Sequence, residues 1–156
     1  MTEALKIETL EENDMLIIQM SGVIDEEFQS LELDDSFETY IFDFQEVVLI
    51  NSCGVREWIL FIEKITKKII YRNCPQIIIH QINMVKGFLT DNCEIESFYA
   101  PYYCEECDLE IEKFLKPSDI TDQKAPNYNC DSCSEEETEL EFDAIESQYF
   151  NFIKKT

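Results

Sequence analysis

The sequence contains little glycine and proline and few basic residues. Of its 156 residues, 3 are glycine and 4 are proline, so long flexible linkers are not expected. Lysine and arginine together number 12, against 34 aspartates and glutamates, which gives a formal net charge of -22. Such a surface repels phosphate backbones and anionic lipid headgroups, so neither nucleic acid nor a membrane surface is an expected partner. We expect a protein partner with a basic face, with simple solubility as the alternative explanation of the charge.

Long apolar runs are also missing. The longest, such as Val47–Ile50 and Ile77–Ile79, are far shorter than the roughly 20 residues that a membrane-spanning helix needs. Residues 1–14 are acidic and mixed, unlike a secretory signal, so we expect a cytoplasmic protein with reduced thiols. Apolar residues make up 45% of the chain and aromatic residues 12%, which is enough to build a core.

The order of the apolar segments predicts an α/β fold. Buried strands are predicted at residues 15–20, across 39–50 and at 76–81, and an extended segment at 95–99. Helices are predicted at 28–33, 55–69 and 84–89, and this alternation implies crossovers and a mixed, largely parallel sheet. Cysteine, tyrosine and acidic residues become frequent near residue 100. We therefore divide the chain into an α/β domain, residues 1–101, and an extension, residues 102–156, that ends in a helix over 135–155.

Short motifs follow two of the predicted strands. Gly22-Val23-Ile24-Asp25 follows the first strand, and Phe42-Asp43-Phe44 precedes Asn51-Ser52-Cys53-Gly54 in the second strand and the loop after it. These residues resemble the Gly-x-hydrophobic-Asp turn and the strand–loop–helix signature of STAS domains, the anti-sigma-factor-antagonist family. The resemblance covers roughly residues 5–100. It implies a small mixed sheet with helices on one side, in a module that binds a kinase-type anti-sigma factor.

In that family, phosphorylation of the loop serine switches partner binding off, and the matching residue here is Ser52. A phosphate at the start of the predicted helix would meet free backbone N–H groups and the positive end of the helix dipole. A plain helix N-cap is the alternative role for Ser52. Asn51 stands where the family has Asp, and Cys53 where it has a second Ser or Thr. Because the single histidine, His80, falls in a predicted buried strand, Cys53 has no candidate base and we expect it to be structural.

Seven cysteines are present, and four of them form two C-x-x-C pairs: Cys104 with Cys107, and Cys130 with Cys133. Two such pairs can place four thiolates tetrahedrally around zinc, and four ligands leave no open position, so the zinc would be structural. Four unrelated buried cysteines are the alternative, while a redox centre or disulfides suit this compartment poorly. Cys74 and Cys93 are single, and we expect them to be packed in the core.

The few basic residues are concentrated after the serine loop. The second predicted helix and the residues just after it contain most of the bases of the first hundred residues, namely Arg56, Lys64, Lys67, Lys68 and Arg72. This helix is therefore the predicted partner face, with compensation of the helix dipole by the lysines as the alternative.

No phosphate-binding glycine loop, Ser/His/Asp set or open metal site is recognisable, so we expect no enzymatic activity. The leading prediction is a regulator that switches partners. The alternative is a STAS-like structural subunit of a membrane-transport or signalling assembly, in which Ser52 is never phosphorylated.

Overall fold

A computed structural model of the chain describes residues 4–28, 32–133 and 138–153. Its larger sheet has five strands in sequence order: β1 (Lys6–Glu12), β2 (Met15–Ile24), β3 (Thr39–Ile50), β4 (Lys68–Arg72) and β5 (Cys93–Ile95). β1 pairs antiparallel with β2, whereas β2 to β5 are parallel. Two helices lie in the crossovers: α1 (Ser52–Ile62) precedes β4, and α2 (Gln76–Met84) precedes β5. The predicted α/β fold with a mixed, mostly parallel sheet is confirmed.

The core lies between this sheet and its helices. Alternate residues of β2 and β3, among them Ile18, Phe42 and Phe44, are fully buried against Trp58 of α1. The Trp58 indole donates a hydrogen bond to the Tyr71 hydroxyl at 3.0 Å, and that hydroxyl donates to the carbonyl of Phe88 at 2.6 Å. The two polar groups in the aromatic core are thus satisfied, which removes the cost of burying them.

A second, antiparallel sheet follows, built from β6 (Phe98–Cys104), β7 (Leu109–Leu115) and β8 (Glu141–Phe142) in the order β7-β6-β8. A short helix, α3 (Glu146–Tyr149), completes the described chain. Phe98 of β6 forms a bridge with Cys74, and one continuous core includes residues of both sheets. The division into two units after residue 101 stays a prediction, although that boundary falls inside β6.

Residues 76–81 were predicted as a strand and are helical. The run of three isoleucines fits either structure, but Ile78, Ile79 and Ile82 form the buried face of α2. Pro75 precedes the helix, where its missing N–H is not needed. His80, predicted to be buried in that strand, is instead exposed on α2, with its ring 6.0 Å from that of Tyr149.

The helix predicted over 55–69 begins earlier and ends at Ile62, and Ile69 belongs to β4. The helical spacing of apolar residues continues in the sequence beyond Ile62 because Ile69, like the apolar residues of α1, faces the core. Residues 84–89 form turns beyond Met84, so the predicted brief helix is wrong. Of the predicted helix over 28–33, residues 29–31 lie outside the described part, and Phe28 and 32–33 are not helical.

The predicted C-terminal helix over 135–155 is wrong in its described part. Residues 134–137 and 154–156 lie outside the described chain, and between them only the four residues of α3 are helical. Phe142 is in β8, where it packs on Tyr102 and Phe150. Within the described ranges, no helix combines the length and apolar character needed to cross a membrane.

Candidate functional site

Three of the four motif cysteines converge at one end of the second sheet. Cys104 is the last residue of β6, Cys107 lies in the turn between β6 and β7, and Cys130 lies in the loop before β8. Their sulfur atoms all lie within 4.8 Å of one another, and the sulfurs of Cys107 and Cys130 are 3.6 Å apart. Cys133, three residues beyond Cys130, is half-buried against the same core. The second sheet therefore brings together a set of thiols that could hold a metal ion.

The hydrogen bonds in this cluster favour a thiolate on Cys130. Burial opposes ionisation, but hydrogen bonds from the backbone of Ser132 and Cys133 and from the thiols of Cys107 and Cys104 lower the pKa of Cys130. The pKa of Cys107 rises to about 12, chiefly through its hydrogen bond with Cys104, followed by burial and its hydrogen bond with Cys130. The hydrogen-bond donors around Cys130 thus favour the thiolate form, which is the form that binds metal ions.

The turn that carries Cys107 depends on an unusual backbone conformation. Asp108, directly after Cys107, has φ of 54°, in the left-handed region where Asp and Asn are the best tolerated residues after glycine. Its carboxylate accepts a hydrogen bond from the hydroxyl of Tyr103 across the turn. This reversal lets β7 return beside β6 while Cys104 and Cys107 stay on the same side. Asp108 is a positioning residue that the cysteine spacing alone does not indicate.

A second candidate site lies where β3 enters α1, against the end of β2. A Cβ atom on Gly54 would lie 2.1 Å from the carbonyl oxygen of Ile24, so only glycine fits at this point. Asn51 N–H donates to the same carbonyl at 3.1 Å. The glycine of the Ser-x-Gly motif therefore allows the close approach of α1 to β2.

Asn51, not Ser52, caps α1. Its side-chain oxygen accepts from Gly54 N–H at 2.8 Å, while its amide nitrogen donates to the Glu26 carboxylate at 3.2 Å. A carboxylate could cap the helix but could not donate to Glu26, which explains why asparagine suits this chain. The pKa of Glu26 is lowered by a backbone hydrogen bond first and by Asn51 second. The alternative role of Ser52 as the N-cap is thus wrong.

Ser52 and Cys53 form the exposed first turn of α1. Of the acids of the other two motifs, Asp25 organises the turn after β2, whereas Asp43 lies in β3, where the pairing with β2 shifts register. Asp25 accepts from Glu27 N–H at 3.0 Å, and Asp43 accepts from Gln45 N–H at 3.0 Å and from the Asn73 side chain at 3.1 Å. The motif acids therefore act on the local backbone.

The bases predicted to share one helix face are dispersed. Arg56 is exposed on α1, but Lys64 follows the helix end, and Lys67 donates to the carbonyls of Asp35 and Phe37. On β4, a cross-strand ion pair joins Lys68 to Glu94 at 3.5 Å. The three lysines therefore lie outside α1, which ends at Ile62, and the assignment of this region as the partner face stays a prediction.

No protein-family model matches this chain, and comparison with curated proteins finds no sequence match. The STAS resemblance therefore stays a prediction carried by the motifs. Any functional assignment rests on the fold, the cysteine cluster and the β3–α1 junction.

Proposed function

We propose that this chain is a non-enzymatic regulatory module of the STAS type that binds a protein partner through the start of α1. One observation carries the proposal. The contact of Gly54 with Ile24 and the cap by Asn51 fix the first turn of α1 while Ser52 remains exposed on it. A rigid, accessible serine at the beginning of an 11-residue helix is a suitable switch, because modification changes the surface without unfolding the element.

The electrostatics of this junction give the direction of the switch. A phosphate on Ser52 adds about -1.5 to -2 charges beside the acidic turn that contains Glu26 and Glu27. The backbone N–H groups at the start of α1 offset part of that charge. Phosphorylation would therefore make the surface around Ser52 strongly anionic. Arg56 of α1 is the exposed basic side chain closest to Ser52 in the sequence. A partner that recognises the unmodified patch would be released, and a kinase-type anti-sigma factor is the partner that the STAS resemblance implies.

The test compares Ser52→Asp and Ser52→Ala variants in affinity capture from the native host, followed by phosphopeptide mapping. Asp should release the partner and Ala should retain it, since the cap on α1 comes from Asn51. Ser118→Asp, which adds the same charge at an exposed serine of the short 3-10 helix after β7, is the matched control and should retain the partner. Equal capture by the Ser52→Asp and Ser52→Ala variants would refute the switch.

A permanent structural role in a membrane-transport or signalling assembly is the second candidate. In this role the exposed first turn of α1 would be a fixed contact surface. That role predicts no phosphate on Ser52 in cells and a partner that both Ser52 variants retain.

We further propose that the cysteine cluster holds a structural zinc ion through Cys104, Cys107, Cys130 and Cys133. Tetrahedral zinc with bonds of about 2.3 Å separates its sulfur ligands by roughly 3.8 Å, close to the 3.6 Å between Cys107 and Cys130. Four thiolates are the donor set of closed, structural zinc sites. Since they must remain reduced, the cytoplasm is the compartment that suits the protein.

Purified protein should contain about one zinc per chain, measured by elemental analysis. Zinc binding in such sites contributes on the order of 10–16 kcal/mol at neutral pH, so strong chelation should disorder the second sheet. Cys130→Ser should lose the metal, whereas Cys53→Ser, at an exposed cysteine of α1, should keep it. Zinc-free protein with an intact second sheet would contradict the assignment.

A further inference from the structure

β7 is an edge strand that no described strand covers. It pairs with β6 along one side over all seven residues, and β8 lies on the far side of β6. The backbone N–H and C=O groups on the other side of β7 consequently form a row without backbone partners among the described residues. Such an edge is a template for the addition of another strand.

The outward face beside this edge is acidic. Strand alternation places Ala100, Tyr102 and Cys104 on one face of β6, where they are buried, and Tyr99, Pro101 and Tyr103 on the other, which we call the outward face. On that face Tyr99 and Tyr103 are half-buried and Pro101 is buried. Glu110 and Glu112 on β7 and Glu141 on β8 pair with these outward residues, and Asp143 bonds to the backbone of Pro101. We call the resulting surface the acidic face, which consists of Tyr99, Glu110, Glu112, Phe114, Glu141 and Asp143.

Among the described residues, no basic side chain pairs with the carboxylates of this face, and Glu112 accepts a hydrogen bond from the side chain of Gln76 at 2.8 Å. The described ion pairs, Lys68 with Glu94 and Arg72 with Glu96, both belong to the other sheet. Lys113 alternates with the two glutamates on β7 and therefore points to the opposite face, where its ammonium lies 4.9 Å from the centre of the Tyr128 ring.

The face also offers an apolar contact and a recess. The rings of Tyr99 and Phe114 meet edge to face with centroids 5.6 Å apart, and Phe114 is 48% exposed. A cavity of about 320 Å³ lies next to them, lined by Gln76, Pro101 and the carboxylates of Glu110, Glu112 and Asp143. A guanidinium group can stack on an aromatic ring and pair with a neighbouring carboxylate at the same time, so this combination of side chains favours arginine as the ligand.

We propose that β7 and the acidic face form a docking surface for an extended, arginine-rich segment of a partner protein. The segment adds to the open edge of β7 as a fourth strand. Its alternate side chains then lie beside Glu110, Glu112 and Phe114, at the spacing of cross-strand neighbours. Backbone hydrogen bonds hold the segment in place, and the carboxylates select basic side chains at every second position. This surface is separate from the proposed Ser52 surface.

Electrostatic repulsion argues against a second copy of this chain as the occupant of the β7 edge. Pairing of β7 with itself would bring the glutamates of one copy beside those of the other, and the whole chain carries a net charge of -22. Like charges directly opposite one another destabilise a strand pair. The occupant must supply the positive charge that the chain lacks.

The probe is a seven-residue peptide with arginine at every second position and threonine between. Its binding to the full chain is measured by calorimetry at low salt. Glu110→Gln with Glu112→Gln should weaken binding about fivefold, the scale of two exposed ion pairs. Glu8→Gln with Glu11→Gln removes the same charge from exposed positions of β1, and should change the affinity by less than about twofold.

Two further peptides test the pairing with the strand edge. One carries N-methyl groups on its arginines and the other on its threonines. Because only one set of N–H groups can face β7, one methylated peptide should lose binding and the other should keep it. Equal affinities of the two, or equal losses in the Gln variants of β7 and β1, would overturn the proposal. A dimer of the chain with β7 amides protected from hydrogen exchange would assign the edge to a second copy and also overturn it.

Discussion

Replacement of Gly54 by alanine is the sharpest test of the contact between β2 and α1. The new Cβ atom would lie 2.1 Å from the Ile24 carbonyl oxygen and 2.6 Å from its carbon, whereas real Cβ atoms are not found within 3.0 Å of such neighbours. The obstacle is backbone and not the end of a flexible side chain. Moreover, Ile24 is paired with Ile50 of β3 and its carbonyl accepts from Asn51, so it cannot move alone.

The expected cost follows from this overlap. Overpacking in a well-packed interior typically costs 1–3 kcal/mol, and a clash with paired backbone belongs at or above the upper end, about 3 kcal/mol. For a chain of this size, that loss lowers the melting temperature by about 6–12 °C. Urea denaturation followed by circular dichroism and by Trp58 fluorescence measures it directly.

Cys53→Ala is the matched control, because Cys53 precedes Gly54 in the same helical turn and is exposed. It should change the free energy of unfolding by no more than about 0.5 kcal/mol. If Gly54→Ala unfolds at the same urea concentration as the wild type, α1 does not approach β2 this closely. The physical reason for the Ser-x-Gly motif would then fail, and with it the rigid placement of Ser52.

The remaining predictions concern the cap of α1 and the buried thiols. Asn51→Ala should cost about 1 kcal/mol in urea denaturation through loss of the cap, whereas Asn51→Asp should keep the cap but place a second carboxylate beside Glu26, so that its stability improves with added salt. Burial raises the pKa of Cys74 well above its ordinary value and that of Cys93 to about 12. Because these pKa values are higher in the folded than in the unfolded chain, their contribution to stability is fully present below pH 9 and is lost as the pH rises toward 12. Urea titrations between pH 8 and 11 should show this decline, and it should be smaller in Cys93→Ala.

The parts that the sequence predicted well are those in which residue type is dictated by one local requirement. The glycine of the serine loop is needed for a backbone contact, and the strands predicted at residues 15–20 and across 39–50 have long apolar runs that suit burial in a parallel sheet. The turn predicted at Gly22–Asp25 is wrong in its position, because β2 continues through Gly22 to Ile24. The convergence of Cys104, Cys107 and Cys130 was likewise expected from the C-x-x-C spacing.

The errors arose where one pattern serves two structures. Three isoleucines in a row suit a buried strand, yet in α2 two of them face the core and Ile77 is half-buried beside them. β1 was missed because an edge strand needs few apolar residues, and five of its seven residues carry a charge or a hydroxyl group. The acidic strand β7 was not predicted for the same reason. The cap by Asn51 was not predicted because Ser52, the next residue, is also of a type that commonly caps helices.

The strand β6 has a consequence for any attempt to shorten the protein. Phe98 and Ala100 near its start are fully buried, and Phe98 packs on Phe150 and Phe152 from the end of the described chain. A fragment that stops after residue 101 would cut this strand in half and expose that aromatic surface to water. Such a fragment should therefore aggregate on expression more than the 156-residue chain does.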